Sequence, residues 1–211
     1  MSLLGKLGDT SLLLEQWLRA PKCIGAVAPS SKRLALAMAR WVTPPPNGWV
    51  LELGPGTGAV TEALFECGLP QERLLAIEAT PALADLLRRR FPATHVITGD
   101  ARRLLELLQP HTAAGRQFVA VVSSLPLRQF TEADRVSISH QIHTVLPPGG
   151  RWIQYTYHIG NGQPPGSAPF RVVHSTVVWL NVPPARVSVY EKWQRPAHAS
   201  RTQQDHCGAV G

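Results

Sequence analysis

Short apolar runs alternate with segments of helical spacing from about residue 30 to residue 145. Four of these runs have the length and composition of strands that are buried on both faces. They are residues 50–53, 74–77, 95–98 and 118–122. Strands that alternate with helices predict a doubly wound, mostly parallel α/β sheet.

The chain after residue 150 follows a different pattern. Residues 151–158 alternate between apolar and polar side chains, and two β-rich runs, 172–179 and 185–193, follow with no helix between them. This arrangement predicts a fifth strand and an antiparallel hairpin that closes the edge of the sheet. The Gly/Pro-rich segment 160–169 predicts a mobile connection, and the polar residues from about 196 predict a disordered tail.

The first twenty residues predict an amphipathic helix. Residues 2–20 contain leucines and Trp17 on helical spacing, with the basic residues Arg19 and Lys22 close behind. Such a helix either packs across the domain or lies in a membrane interface, and the sequence does not choose between the two. If it docks on a membrane, we expect it to cover part of the substrate site.

A second helix is predicted before the first strand. Ser30 or Ser31 is expected to cap it, and the proline-rich stretch 43–48 to end it. The predicted organisation is N-terminal helices that face the membrane and substrate over residues 1–42, one catalytic domain over 43–195 and a tail over 196–211.

Charge and composition narrow the partners. A formal net charge of +7, from 21 basic and 14 acidic residues, favours an anionic partner, either nucleic acid or a membrane surface. No apolar run is long enough to span a bilayer and no signal peptide is recognisable, so we expect a cytoplasmic protein. We expect no metal site, because the scattered cysteines and the pair His140 and His143 lack metal-ligand spacing. The cysteines are Cys23, Cys67 and Cys207.

The turn after the first strand reads Glu52-Leu53-Gly54-Pro55-Gly56-Thr57-Gly58. Glycines at alternate positions remove Cβ atoms where the chain turns sharply and where a ligand approaches its backbone. Pro55 stiffens the turn, and Thr57 is expected to cap a helix that ends at about Glu66. The G-x-G-x-G spacing and the preceding Glu52 differ from a dinucleotide fingerprint and from a phosphate loop.

Polar residues follow the next three strands. Glu78 lies twenty residues beyond Gly58, where nucleotide-binding α/β folds place a carboxylate that accepts ribose hydroxyl protons. Asp100 is expected to accept from the amine of an adenine, to cap a helix over 101–109, or to do both. Residues 123–127 follow the fourth strand. Ligands of such sheets bind outside the carboxyl ends of the strands, so these positions predict one shared site.

The chain resembles a class I methyltransferase that uses S-adenosylmethionine. The resemblance rests on four features in this order: the glycine turn, Glu78, Gly99-Asp100 and Ser123-Ser124-Leu125-Pro126-Leu127. More narrowly, the chain resembles the bacterial phospholipid N-methyltransferase family, which is similar to the rRNA adenine dimethyltransferases. The resemblance extends over about residues 10–193, and its more specific segments are 25–31 and 123–127. The other matching segments are Arg19-Ala20-Pro21, Leu146-Pro147-Pro148-Gly149-Gly150, Gln154-Tyr155-Thr156-Tyr157 and Asn181-Val182-Pro183-Pro184-Ala185.

The resemblance implies a Rossmann-like, seven-stranded sheet and methylation of phosphatidylethanolamine, with its mono- and dimethyl forms, toward phosphatidylcholine. S-adenosylmethionine is the implied cofactor and S-adenosylhomocysteine the product. The residues assigned to the cofactor are Val27, Ser30, Ser31, Glu52, Gly54, Pro55, Gly56, Thr57, Gly58, Glu78, Ala79, Gly99, Asp100, Ala101 and Ser123. Those assigned to the methyl-accepting amine are Ser123, Ser124, Leu125, Pro126, Tyr155, Tyr157 and His158.

Three of these residues have two interpretations each. Tyr155 and Tyr157 either offer ring faces to the growing methylammonium or pack as core aromatics on one side of a strand. His158 can accept the proton of the substrate ammonium, a step that solvent performs equally well. A backbone carbonyl near Ser123 is expected to accept an amine N–H and so orient the nitrogen lone pair.

RNA adenine N6-methylation is the alternative function. Adenine dimethyltransferases carry Asn-(Leu/Ile)-Pro-(Tyr/Phe) after the fourth strand, where the aromatic ring stacks on the target base. This chain has Ser124 and Leu127 at those places, which argues against a flipped base and against a nucleic-acid partner. A non-enzymatic binding module is disfavoured by the complete set of cofactor positions. We therefore expect a monomer, peripherally associated with an anionic membrane surface, that acts on an amine-headgroup phospholipid.

Overall fold

The computed structural model describes residues 27–42, 48–159, 164, 169–181 and 183–193, with the backbone alone at 27–31. The predictions for the first twenty residues, for most of segment 160–169 and for the tail after residue 195 lie outside the described residues. The described part forms one sheet with helices on both faces.

The sheet has seven strands in the order β3-β2-β1-β4-β5-β7-β6. The first five strands are parallel, and β7 runs antiparallel to both β5 and β6. The strands are β1 (Trp49–Leu53), β2 (Leu74–Glu78), β3 (His95–Thr98), β4 (Phe118–Ser123), β5 (Arg151–Thr156), β6 (Phe170–Val178) and β7 (Ala185–Lys192). The predicted doubly wound sheet with an antiparallel C-terminal hairpin is confirmed.

Five α-helices are described: α1 (Val27–Ala39), α2 (Ala59–Glu66), α3 (Pro81–Arg90), α4 (Leu104–Ala113) and α5 (Glu132–Val145). Pro81 opens α3 after Thr80, whose side chain makes no capping hydrogen bond. The helix expected from Ala101 is divided into a 3-10 turn, Ala101–Arg103, and α4. No described helix is long and apolar enough to cross a membrane.

The predicted start of α1 is wrong. The helix begins at Val27, so Ser30 and Ser31 lie inside its first turns and do not cap it. Pro29 is compatible with this start, because the first four backbone N–H groups of a helix have no intrahelical partner and a proline there loses no hydrogen bond.

The predicted cap of α2 is also wrong. Gly58, and not Thr57, is the N-cap residue, with φ of 90° and ψ of 23°. This left-handed conformation favours glycine. A Cβ on Gly58 would also lie 2.8 Å from Cε2 of Phe91, so packing against α3 independently requires a glycine. The predicted end of the helix at Glu66 is confirmed.

Two apolar cores cover the faces of the sheet. One lies under α1 and α2 and includes Leu34, Met38, Leu64, Ile153 and Val187. The other lies under α4 and α5 and includes Leu51, Leu53, Leu104, Ile138 and Trp152. Successive residues of a strand point to opposite faces, so β1 contributes Val50 to the first core and its neighbour Leu51 to the second.

The carboxyl ends of most strands lie along one side of the sheet. We call this side the carboxyl edge, as distinct from the outer strands β3 and β6. The parallel strands β1 to β5 all end there. The connection between β6 and β7 reaches the same edge, since Val178 at the end of β6 pairs with Ala185 at the start of β7. Thr156 at the end of β5 pairs with Arg186 of β7 at this level. The residues predicted to share a site follow strands at this edge.

Candidate active site

The turn between β1 and α2 is tied to the neighbouring strand. Gly54 donates its N–H to the Ile77 carbonyl at 2.9 Å. A Cβ on Gly54 would lie 2.9 Å from Cδ2 of Leu125, whereas a Cβ on Gly56 would meet nothing within 4 Å. Gly56 has φ of 60°. The turn therefore packs closely at Gly54 and leaves open space beside Gly56, where a ligand can approach the backbone.

Glu78 joins the ends of three strands through its backbone and side chain. Oε2 accepts the Gly56 N–H at 3.0 Å, and Oε1 accepts the Thr80 N–H at 2.9 Å. Its backbone carbonyl accepts the Gly99 N–H at 2.9 Å. A carboxylate with two oxygens can accept about four hydrogen bonds. Both Glu78 oxygens thus keep acceptor capacity, which fits a vicinal pair of ribose hydroxyls.

Glu52 lies one strand away in different surroundings. It is fully buried, and its Oε2 accepts the Thr61 hydroxyl at 2.7 Å. Oε1 has no hydrogen-bond partner within the described part of the chain. Burial raises the pKa of Glu52 to about 8; the Thr61 hydroxyl opposes this shift, and the nearby Glu78 adds to it. Glu52 therefore binds a proton up to mildly alkaline pH.

Asp100 performs the capping role that its sequence position predicts. Its carboxylate accepts the Arg102 backbone N–H at 2.9 Å and the Arg102 Nε–H at 2.8 Å, at the start of the 3-10 turn. Hydrogen bonding from the Arg102 guanidinium lowers the pKa of Asp100, against the opposing effect of burial. Its contact with an adenine amine stays a prediction, and Arg102 competes for the same oxygens.

The segment after β4 lies directly against the glycine turn. Ser123 is buried and sits between Leu53 of β1 and Gln154 of β5 in the sheet register. Ser124 donates its N–H to the Leu53 carbonyl at 2.9 Å, and the Leu125 side chain covers the Cα of Gly54. The structure thus brings the residues assigned to the amine and those assigned to the cofactor into contact.

Gln154 was missed as a site residue by sequence reasoning. Its Nε2 donates to the Leu125 carbonyl at 3.1 Å and to the Tyr155 carbonyl at 2.7 Å, and the side chain is buried. Its Oε1 and the Ser124 hydroxyl are buried without a hydrogen-bond partner among the described residues. The alternation along β5 shows which face Gln154 occupies, but only the register with β4 shows that it reaches Leu125.

The two tyrosines of β5 and its extension contact each other at a ring-centroid distance of 5.5 Å and an angle of 78°. Tyr155 packs against the core under α1 and α2, and burial raises its pKa. Tyr157 is 54% exposed. His158 is exposed beyond the end of the strand, and its backbone N–H bonds the Thr156 hydroxyl. Roles for all three in the reaction stay predictions.

Leu127 is a buried core residue. It begins the 3-10 turn Leu127–Gln129 and is buried in the core under α4 and α5, where Phe130 also packs. The position at which an adenine dimethyltransferase would carry a stacking ring is therefore part of the hydrophobic core in this chain.

Arginines of α3 support the site from outside. The triplet Arg88-Arg89-Arg90 ends α3, and two of its members hydrogen-bond backbone carbonyls. Arg90 donates to the Thr57 carbonyl in the glycine turn and to Oε2 of Glu62 at 3.2 Å. Arg88 donates to the Val96 carbonyl at 3.0 Å. No local sequence signal distinguishes these anchors from freely solvated arginines.

The remaining assigned residues lie around these contacts. Val27, Ser30 and Ser31 lie in α1, where the structure describes only their backbone. Ala79 is exposed after β2, and Ala101 is buried after β3. Gly99 packs against Leu107, since a Cβ there would lie 2.7 Å from its Cδ1. Pro55 is buried within the glycine turn, and Thr57 is half-buried.

Comparison with known proteins agrees with this geometry. Residues 50–150 match the family described as a methyltransferase domain. The chain is 32% identical over 151 residues to an ornithine lipid N-methyltransferase from Singulisphaera acidiphila, covering 70% of this chain and 78% of that protein. It is 31% identical over 132 residues to ribosomal RNA small subunit methyltransferase A from Synechococcus sp., covering 55% of this chain and 43% of that protein. The chain thus spans less than half of that ribosomal RNA enzyme.

The fold is similar to that of the N-methyltransferase NodS from Bradyrhizobium japonicum WM9, solved in complex with S-adenosylhomocysteine. The TM-score is 0.62 at 14% identity, with 85% of this chain and 96% of that chain covered. The chain belongs to the class I S-adenosylmethionine-dependent methyltransferases. Within this class, its similarity to the ornithine lipid enzyme extends over most of both chains.

S-adenosylmethionine is the cofactor of this class, and the site fits it. Open space lies beside the Gly56 backbone, and the Glu78 oxygens retain acceptor capacity at the neighbouring strand end. We expect the methionine part to lie along the glycine turn, the ribose at Glu78 and the adenine near Asp100. The segment 123–126 follows β4, which lies between β1 and β5, and its role at the reacting end stays a prediction.

Proposed function

We propose that this methyltransferase transfers methyl groups to the amine of a membrane lipid headgroup. The similarity to an ornithine lipid N-methyltransferase carries the proposal, because 78% of that protein is covered at 32% identity. The ribosomal RNA relative is matched over 43% of its length, which supports shared methyltransferase machinery more than a shared substrate.

The polar groups around Leu125 suit a small amine. Oε1 of Gln154 and Oγ of Ser124 are buried acceptors without partners among the described residues. Leaving such atoms unpaired is unfavourable by about 1–3 kcal/mol each. An amine donates N–H bonds, so we propose that the substrate nitrogen bonds one of these atoms once it is bound. A nucleobase would also require a stacking face, and the buried Leu127 offers none.

The protein has to align an uncharged nitrogen with the methyl group. When bound, S-adenosylmethionine supplies a methyl that is already activated on a sulfonium. Gln154 fixes the Leu125 carbonyl through its Nε2, which holds the segment 123–126 in one conformation. An acceptor at Ser124 can then orient the N–H bonds of the amine so that its lone pair points along the transfer direction. The exposed ring of Tyr157 can contact the methylammonium product by cation–π attraction.

For the lipid itself, we propose phosphatidylethanolamine and its mono- and dimethyl forms, methylated toward phosphatidylcholine. Ornithine lipid is the second candidate, favoured by the activity of the Singulisphaera acidiphila relative. RNA adenine is the third, favoured by the net charge of +7 and by the ribosomal RNA relative. An anionic membrane surface is the proposed partner for either lipid.

Methyl transfer from radiolabelled S-adenosylmethionine to phosphatidylethanolamine, to ornithine lipid and to total RNA tests the proposal. We expect label in at least one lipid and none in RNA. Label in RNA with none in either lipid would overturn it. Ser124→Ala is expected to raise KM for the lipid while the affinity for S-adenosylmethionine, measured by calorimetry, stays unchanged. Thr144→Ala, an exposed hydroxyl on α5, serves as the matched control.

A further inference from the structure

Exposed apolar side chains gather at the edge of the sheet that carries the site. Tyr157 and Ile159, which follow β5, are 54% and 42% exposed. Trp179 and Leu180, which follow β6, are 67% and 64% exposed. We name these four residues the apolar rim. Large apolar residues grouped in this way mark an interaction surface more often than single exposed ones do.

The strand register joins the two halves of the rim. β7 lies between β5 and β6, and its Arg186 pairs with Thr156 on one side and with Val177 on the other. Arg186 also donates to the Ile159 carbonyl and to the Ser175 hydroxyl, each at 2.8 Å. The residues that follow β5 and those that follow β6 therefore belong to one surface.

The charged residue within the two stretches that hold the rim is Arg186. The stretches 157–159 and 179–186 contain His158 and Arg186 but no Asp or Glu. Arg128, exposed in the 3-10 turn after β4, lies at the same edge. An apolar tip with basic neighbours matches a bilayer interface, which is apolar below the headgroups and negatively charged at its surface.

We propose that the apolar rim docks this protein on an anionic lipid bilayer, with Trp179 and Leu180 inserted at the headgroup level. The proposal rests on the proposed lipid substrate. Tryptophan favours this level because its ring is apolar and its N–H is polar. Docking through this edge turns the ends of β4 and β5, and with them Ser124, toward the headgroups. It does not depend on the first twenty residues, which lie outside the described part of the chain.

Sedimentation of the full chain with phosphatidylcholine vesicles that contain phosphatidylglycerol tests the rim. The variant is Trp179→Glu with Leu180→Glu. The matched control is Trp193→Glu, because Trp193 is 53% exposed and follows β7 at the opposite edge of the sheet. We expect the double variant to lose at least about tenfold in vesicle affinity, since two inserted side chains become charged. We expect the control to bind as the wild type does.

Several outcomes would overturn the proposal. They are unchanged sedimentation of the double variant, an equal loss in the control, and a wild type that does not bind the vesicles. A double variant that changes the oligomeric state in analytical ultracentrifugation while still binding vesicles would instead identify the rim as a contact between copies of this chain. Calorimetry with S-adenosylmethionine confirms that each variant is folded.

A second measurement separates docking from the proposed function. With the lipid amine dispersed in detergent micelles, the double variant is expected to transfer methyl groups at the wild-type rate, because Trp179 and Leu180 lie outside the reacting site. With the same lipid in vesicles, its rate should fall with its binding. If the wild type methylates no lipid in either form, the proposed function fails, while sedimentation still decides the role of the rim.

Discussion

The ends of β1 and β2 carry buried glutamates in contrasting surroundings. Glu78 accepts backbone N–H bonds from Gly56 and Thr80, whereas Glu52 accepts one hydroxyl, from Thr61. Burial raises the pKa of Glu52 to about 8 and leaves its Oε1 unpaired among the described residues. Both carboxyl groups are buried, and they differ in their donors: the Glu78 oxygens accept from the backbone of two turns, so we expect Glu78 and not Glu52 to accept from a ligand.

The strongest test of this contrast removes the turn that supplies a donor to Glu78. Gly56→Val should abolish binding of S-adenosylmethionine in calorimetry, because a β-branched residue is strained at φ of 60° and its side chain fills the open space of the turn. Gly68→Val is the matched control, since Gly68 also has a positive φ and nothing within 4 Å of its Cβ position. Normal binding by a folded Gly56→Val variant would contradict the assignment of the turn.

The next test removes the acceptor itself. Glu78→Ala should weaken S-adenosylmethionine binding by about 1.5–3 kcal/mol, the usual value of hydrogen bonds to a charged group. In free-energy terms this is roughly a tenfold to a hundredfold loss in affinity. Isothermal calorimetry measures it, and Glu72→Ala, an exposed glutamate in the 3-10 turn before β2, is the control. An unchanged affinity would refute the ribose assignment.

The contribution of Glu52 to the free energy of unfolding should depend on pH. Its pKa rises from 4.5 to about 8 on folding, so the proton it holds stabilises the folded state fully below 4.5, and this contribution is lost as pH rises toward 8. Glutamine cannot ionise, so the Glu52→Gln variant should not lose stability in this way as pH rises. In thermal unfolding without cofactor, the variant should gain stability over the wild type as pH rises, by up to a few kcal/mol at about 1.4 kcal/mol per pKa unit. Parallel pH profiles for the two proteins would contradict the raised pKa.

The smallest expected effect is at Arg90. Arg90→Met removes the hydrogen bond to the Thr57 carbonyl and keeps much of the apolar stem. Because the pair is exposed, we expect a loss of about 1 kcal/mol or less in S-adenosylmethionine binding. Arg89→Met, on the same helix turn and exposed, is the matched control. Equal affinities for the two variants would show that Arg90 does not hold the turn.

The sequence predicted the strands closely because strands buried on both faces must be apolar throughout. β3 has the predicted bounds, and β2 and β4 differ from them by one residue at the end. The sequence was less informative at helix starts. In the first turn of α1, small residues and Pro29 suit a loop and a helix equally well, and Thr57 resembles a cap although packing against Phe91 requires Gly58.

Within the candidate site, the sequence predicted the residues that directly follow a strand. Such residues can be found from the sequence because the end of a strand is visible in the pattern of apolar residues. Gln154 and Arg90 could not be found in that way. Gln154 reaches Leu125 through the register between β4 and β5, and Arg90 reaches Thr57 from a helix that begins after β2. Contacts between elements distant in the chain depend on the assembled sheet, which local pattern does not encode.

Strand β6 lies at the free edge of the sheet, and its irregular pairing with β7 has a consequence for association. The register shifts between Val172 and His174. An extra residue of this kind bends the strand and interrupts the row of edge N–H and C=O groups that another sheet would need for pairing. Arg171, exposed beside the bulge and paired with Glu191 at 2.7 Å, adds a charge to the same edge. The bulge therefore protects an otherwise β-rich hairpin from aggregation.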